Sequence, residues 1–278
     1  MIKVILTAIL CFIITNNGVE DTSAAKANKR GNLMKNIEII VTFDNYPYKK
    51  GLTTEWGFSC LVKASDSTDS TIDILFDTGA NGQILLDNMQ KLNINAQDID
   101  KVFLSHRHWD HIGGLSRFLD VNHNVEVYCL KSFPKEIKRT ITKSGAKLVE
   151  IEKSQEIYTE FFTTGSMGTS ITEQSLAIKT DKGFILITGC AHPGILNIVK
   201  KAAEITKIEP LLVMGGFHLL GCDNRELLLI ADKLQEMKVQ YVAPSHCSGT
   251  ECRALFRQRW ADKYIELGLG QKITFPLK

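Results

Sequence analysis

Residues 105–111 read Ser105-His106-Arg107-His108-Trp109-Asp110-His111, and Gly113-Gly114 follows one residue later. Three imidazoles and a carboxylate fall within this stretch, although the chain of 278 residues holds only 7 histidines. A solvated loop has no need of such a density. Imidazole nitrogen and carboxylate oxygen are, however, the donors that Zn²⁺, Fe and Mn²⁺ take. The stretch leaves a short apolar run, residues 101–104, that reads as a buried strand. On a loop leaving that strand, alternation lets His106 and His108 point the same way, while Asp110 and His111 turn toward a second centre.

Working outward, three later apolar runs also end in a histidine. They are followed by Thr188-Gly189-Cys190-Ala191-His192-Pro193-Gly194, by Gly215-Gly216-Phe217-His218 and by Pro244-Ser245-His246-Cys247. Upstream, Phe76-Asp77-Thr78-Gly79 closes another β-rich run. Polar groups placed just after successive strands suit a site assembled at one edge of packed sheets. A lone histidine in such a position is often structural, but here three share the setting of His106 to His111.

Patterning predicts strands over residues 37–43, 58–64, 71–76, 101–104, 125–129, 148–151, 158–163, 176–180, 184–188, 210–214 and 240–243. Helices are expected over 85–92, 115–119, 132–144, 194–205, 226–237 and 253–264. The helix over 226–237 carries apolar residues at Leu227, Ile230, Ala231 and Leu234, one face of a 3.6-residue period. Strands and helices mixed in this way argue for a layered α/β architecture. No proline-rich or serine-rich linker divides the chain, so residues 35–278 are expected to form one domain.

The series D-T-G, S-H-x-H-x-D-H-x-G-G-L, G-C-x-H-P-G-I, G-G-F-H-L and S-H-C-x-G resembles the metallo-β-lactamase superfamily. Within it, the series is similar to the subgroup named for dihydropterin-ribofuranosylaminobenzene phosphate synthase, and the resemblance runs from about Asn36 to the C-terminus. It implies a four-layer αββα sandwich, two mixed β-sheets flanked by helices. It also implies two divalent metal ions, zinc first, with manganese or iron admitted by the same donors. On that resemblance His106, His108 and His192 are assigned to one metal, and Asp110, His111 and His246 to the other. Asp77 is expected to brace the metal-binding loop. Cys190 stands where common members carry a bridging aspartate and is grouped with Asp77 as a supporting residue, with His192 as the replacement ligand. Asp110 and His218 are the expected catalytic groups, the first orienting a water and the second donating a proton. Glu55-Trp56-Gly57 departs from the subgroup, which carries an acidic residue, histidine and glycine there.

The resulting expectation is a hydrolase acting on an ester, amide or phosphoester of a small molecule. The alternative is a transferase that condenses a dihydropterin pyrophosphate with ribofuranosylaminobenzene phosphate. A non-catalytic metal-binding module is the third reading, and the intact central motif argues against it.

Composition narrows the partners. Hydrophobic content of 44% and charged content of 23% are ordinary for a globular protein. The net charge of +2 comes without a concentrated basic stripe, so no nucleic-acid partner is expected. The basic residues between Lys131 and Lys147 read as a solvated helix face. Met1-Ile2-Lys3, the apolar residues 4–14 and Ala25-Lys26-Ala27 match the charged, apolar and cleavage regions of a secretory signal over residues 1–27. The apolar part falls short of the roughly twenty residues that span a bilayer. An exported protein, periplasmic or secreted, is therefore expected; translation from Met34 would instead give a cytoplasmic one. Cleavage would remove Cys11 and leave six of the 7 cysteines, whose spacing is not that of a disulfide framework.

Overall fold

The strand Gly183–Thr188 is buried along its whole length, and its alternate side chains enter two different cores. Ile185 and Ile187 pack in the core that joins two sheets. Phe184 and Leu186 pack under helices on the other side. A period of two with apolar residues on both faces is what a strand inside a multilayer sandwich requires.

The computed structural model describes Met34, residues 36–66 and residues 70–276. The proposed signal over residues 1–27 lies outside them. In chain order the elements are β1 (Asn36–Asp44), β2 (Phe58–Ser65), β3 (Thr71–Phe76), α1 (Gly82–Lys91), β4 (Lys101–Phe103), α2 (Trp109–Ile112), α3 (Leu115–Val121), β5 (Glu126–Leu130), α4 (Lys135–Ser144) and β6 (Lys147–Ile151). They continue with β7 (Lys153–Tyr158), β8 (Phe161–Gly165), β9 (Leu176–Thr180), β10 (Gly183–Thr188), α5 (Ile195–Thr206), β11 (Pro210–Gly216), α6 (Asn224–Glu236), β12 (Tyr241–Ser245), α7 (Thr250–Trp260) and β13 (Lys272–Phe275).

One sheet has the order β13-β1-β2-β3-β4-β5-β6 and the other β12-β11-β10-β9-β8-β7. Both are mixed. In the first, β3 through β6 run parallel and the remaining pairs are antiparallel. In the second, β10, β11 and β12 run parallel and β7 through β10 antiparallel. Helices α1, α3 and α4 cover the first sheet, and α5, α6 and α7 the second. The expected αββα sandwich is the observed fold. Among the described residues, no helix is long and apolar enough to cross a membrane.

Several expected elements differ. Residues 158–163 are not one strand: Tyr158 ends β7, Thr159 and Glu160 form a hairpin turn in which Glu160 takes φ 63°, and Phe161 begins β8. That turn contains no glycine or proline, and polar β7 carries no apolar alternation to betray it. The helix expected over 253–264 stops at Trp260, because Ala261 adopts φ 49°. The helix expected from 132 begins at Lys135, after Pro134 as its N-cap. Strand β13 was not expected at all; it pairs with β1 at the sheet edge. The segment read as a loop through residue 111 instead forms one helical turn, α2, from Trp109 onward.

Candidate metal centre

The polar groups singled out in the sequence stand at the C-terminal ends of β3, β4, β10, β11 and β12. Parallel neighbours end at the same side of a sheet, so their following loops meet there. His106 and His108 lie on the extended segment after β4, and Asp110 and His111 on the turn of α2. Close backbone approach fixes that turn against the loop after β3. Thr78 N–H donates to His111 O at 2.7 Å. A Cβ on Gly113 would fall 2.2 Å from Ala80 O, and one on Gly114 2.2 Å from Thr78 O. The paired glycines therefore serve contact between two loops.

Hydrogen bonds assign the ring protons. Asp77 Oδ1 accepts the Ser105 N–H at 2.7 Å, and Asp77 Oδ2 accepts the Ser105 hydroxyl at 2.7 Å. With its proton so committed, Ser105 Oγ accepts from His106 Nδ1 at 2.9 Å. His111 Nδ1 donates to Asp77 Oδ2 at 2.7 Å. His246 Nδ1 donates to Asn45 Oδ1 at 2.9 Å, and Asn45 Nδ2 donates back to His246 O at 3.3 Å. In neutral rings, the lone pairs of His106, His111 and His246 are then all on Nε2.

Those of His111 and His246 converge. His111 Nε2 lies 3.3 Å from His246 Nε2 and 3.2 Å from Cys190 Sγ. Asp110 Oδ2 is 3.2 Å from His246 Nε2 and 3.7 Å from His111 Nε2. The four donor atoms of Asp110, His111, Cys190 and His246 lie within 4.8 Å of one another, as do those of His106, His108 and His192 in a second group. In that second group His192 Nε2 faces His108 Nδ1 at 3.2 Å. His106 Nε2 is buried and has no hydrogen-bond partner among the described residues. Electron-pair donors gathered at such distances repel one another unless a cation lies between them, and a buried unpaired nitrogen is costly. The donor chemistry therefore fits divalent metal ions, with three nitrogens in one group and nitrogen, oxygen and sulfur in the other.

The electrostatics agree. Burial holds His106 well below the ordinary histidine range and lowers His108 as well. Burial, with like charge from neighbouring histidines, brings His111 and His192 down to about 3. These rings are neutral at physiological pH, the form in which an imidazole can bind a metal. His246 differs. Burial opposes its charge, but the facing Asp110 carboxylate and neighbouring anions outweigh burial and raise it. A proton on His246 Nε2 thus relieves the same crowding that a metal ion would. Burial also opposes the charge of Asp110, yet the bond from His246 and the charge of His111 and His246 carry its carboxyl down to about 2.

Sequence reading gathered all six expected metal ligands, and the structure brings them into the two groups just described. Cys190, read as a supporting residue, has its sulfur among the donor atoms. His218 is exposed, with φ 55°, and its ring centroid stands 4.3 Å from that of His192. It also belongs to a group with Cys190 and Cys247. Its bond with Cys247 raises the His218 pKa. Trp56, partly exposed, lies with its ring 4.9 Å from the His246 ring.

Four supporting residues were missed in the sequence. Asn45 sets the tautomer of His246, as above. Next to it, Asp44 accepts the Ser245 hydroxyl at 2.5 Å and the Tyr46 N–H at 2.9 Å, so the residue before His246 is tied to the end of β1. Burial raises the Asp44 carboxyl to about 6. Glu173 accepts backbone N–H groups of the loop after β10, and Gln174 donates to Leu104 O at 2.8 Å. The one available signal was an acidic residue inside a β-rich stretch, and it carries no spacing rule.

A family profile described as the metallo-beta-lactamase superfamily matches residues 68–246. The protein 7,8-dihydropterin-6-methyl-4-(beta-D-ribofuranosyl)-aminobenzene-5'-phosphate synthase of Methanocaldococcus jannaschii is similar, at 29% identity over 286 residues, 86% of this chain and 97% of that protein. Among solved structures, Tm1679, described as a metal-dependent hydrolase of the beta-lactamase superfamily, has a TM-score of 0.70 at 29% identity, covering 85% of this chain and 98% of that one. The metallo-beta-lactamase fold protein YhfI of Bacillus subtilis has a TM-score of 0.64 at 14% identity, covering 86% and 100%, a likeness of fold alone. A profile that spans well over half of the chain leaves one assignment: this protein belongs to the metallo-beta-lactamase superfamily.

Proposed function

We propose that this chain is a two-metal hydrolase that cleaves an ester, amide or phosphoester bond of a small molecule. The observation that carries the reading is the gathering of donor atoms into two groups, one with His106 and the other with His111 and His246, each of these three rings having spent its Nδ1 on a supporting acceptor. His106, His108 and His192 would hold one divalent ion. Asp110, His111 and His246, with Cys190 in reach, would hold the other. The mixed nitrogen, oxygen and sulfur set favours zinc, and the nitrogen and oxygen donors also suit manganese or iron. Bound cations of this kind polarise a carbonyl or phosphoryl oxygen and lower the pKa of nearby water, a contribution of several kcal/mol.

The remaining chemistry falls to this chain's side chains. Asp110, with its carboxyl held down at about 2, stays anionic through the neutral range and suits orienting a water by accepting a hydrogen bond from it. His218 is exposed beside His192 and has a raised pKa, which suits delivery of a proton to a leaving group. Trp56 offers an apolar edge next to His246 against which a substrate can lie.

The likeness to Tm1679, described as a metal-dependent hydrolase, supports this reading. The likeness to the M. jannaschii synthase supports a second one, a transferase that joins a dihydropterin to a ribofuranosylaminobenzene phosphate. Export through residues 1–27 is part of the proposal and sits better with hydrolysis outside the cytoplasm than with pterin assembly. Metal-replete protein offered a panel of esters, amides and phosphoesters should turn over at least one class, and His108→Ala or Asp110→Ala should abolish that turnover. Full activity in either variant would end the hydrolase mechanism. Pyrophosphate release from a dihydropterin pyrophosphate would put the transferase reading first.

A further inference from the structure

Glu173 is 1% exposed and its carboxylate receives four consecutive backbone N–H groups. Oε1 accepts from Gly189 at 3.1 Å, Cys190 at 3.0 Å and Ala191 at 2.9 Å, and Oε2 accepts from His192 at 2.8 Å. Ala191 takes φ 62° within that run, the kind of alternation that turns successive N–H groups toward one anion. The wrapped loop carries Cys190, a donor of one metal-binding group, and His192, a donor of the other.

The next residue reaches the opposite side of the centre. Gln174 N–H donates to Ser105 O at 2.9 Å, and its side-chain amide donates to Leu104 O at 2.8 Å while accepting the Thr163 hydroxyl at 2.7 Å. Leu104 and Ser105 directly precede His106. The pair is itself pinned, since Glu173 and Met167 exchange backbone hydrogen bonds of 2.9 and 3.0 Å. Two adjacent buried residues thus clamp a loop of one sheet to a loop of the other through main-chain groups.

We propose that Glu173 is the positioning residue of the metal centre and that, with Gln174, it makes the two donor groups fill as one unit. The inference rests on the two-metal reading above. Any shift of the 189–192 loop moves Cys190 and His192 together, so an ion bound at either group fixes a donor of the other in place. The first ion removes whatever freedom the clamped loop retains, which lowers the cost of binding the second.

Glu173→Gln keeps the shape of the side chain but replaces one acceptor oxygen by an NH₂ facing an N–H. Metal-free protein is titrated with Co²⁺, followed by calorimetry and by visible d–d absorption. Wild type should take up two ions in one transition. Folded Glu173→Gln, checked by near-ultraviolet circular dichroism, should need about 10- to 100-fold more Co²⁺ and should show two transitions. A merely structural residue would lower the melting temperature of the metal-free protein and leave a single transition. Wild type that binds no Co²⁺ sinks the two-metal reading. Wild type that fills in separate steps, or a variant that titrates like wild type, overturns the role of Glu173 alone. Should Glu173→Gln not fold, amide exchange in metal-free wild type decides. Protected N–H groups at residues 189–192 support the clamp, and rapid exchange there overturns it.

Discussion

Asp77 Oδ2 accepts a hydrogen bond from His111 Nδ1 at 2.7 Å, and the same oxygen accepts the Ser105 hydroxyl at 2.7 Å. One buried carboxylate therefore sets a histidine in each donor group, His111 directly and His106 through Ser105. Asp77→Asn leaves one acceptor oxygen and sets an NH₂ against a donor. Metal affinity, measured by competition with a chromophoric chelator, should fall about 10- to 100-fold. Ser105→Ala spares the His111 bond and should cost less. An unchanged affinity in Asp77→Asn would remove Asp77 from the account.

His218 is expected to protonate the leaving group, and the dependence on leaving group tests that role. His218→Ala should lower kcat by about 10²- to 10⁴-fold for substrates with alkoxide-like leaving groups. Activated substrates with nitrophenolate leaving groups should be nearly unaffected, since they depart without a proton. An equal loss for both kinds would assign His218 to binding or metal retention instead.

The paired glycines give a prediction about packing rather than chemistry. Gly113 has an ordinary helical φ of −61°, yet an added Cβ would lie 2.2 Å from Ala80 O. Gly113→Ala should therefore destabilise by about 3 kcal/mol or more through overpacking. Gly51 is the converse, with φ +86° and nothing within 4 Å of an added Cβ. Gly51→Ala should cost about 1–2 kcal/mol through backbone conformation alone. Denaturant unfolding of both variants checks the order, and equal losses would contradict it.

A pH effect remote from the centre concerns Glu126. Its hydrogen bonds with Lys101, Lys147 and Tyr128 bring its carboxyl from 4.5 down to about 2. A depressed carboxyl contributes stability that is present above the unfolded pKa near 4.5 and is lost as pH falls through about 2. Glu126→Gln should be less stable than wild type by about 1 kcal/mol at neutral pH, allowing for solvent screening. The gap should narrow steadily between pH 5 and about pH 2. A gap that is constant with pH would show that packing, and not charge, is what the substitution removes.

The candidate metal-binding residues were legible in the sequence because their chemistry is dense and local. His106 to His111 lie on one segment, and His192, His218 and His246 each follow an apolar run that could be read as a strand. The supporting residues were not legible in the same way. Glu173 and Gln174 act through main-chain N–H and C=O groups of loops 16 and 70 residues distant, as the Gly189 and Leu104 bonds show. Asn45 reaches His246 across 201 residues. Such pairings depend on how two sheets face each other, which no local pattern encodes. The misread hairpin has a similar cause. β7 is an edge strand whose residues, Lys153 to Tyr158, are exposed or half-buried, so burial left no period of two in its composition.

Anomalous diffraction from crystals of the metal-replete protein, recorded across the zinc edge, tests the central claim most directly. Two peaks should appear, one among His106, His108 and His192 and the other among Asp110, His111, His246 and Cys190. Ordered side chains at these positions with no anomalous density between them would contradict the account.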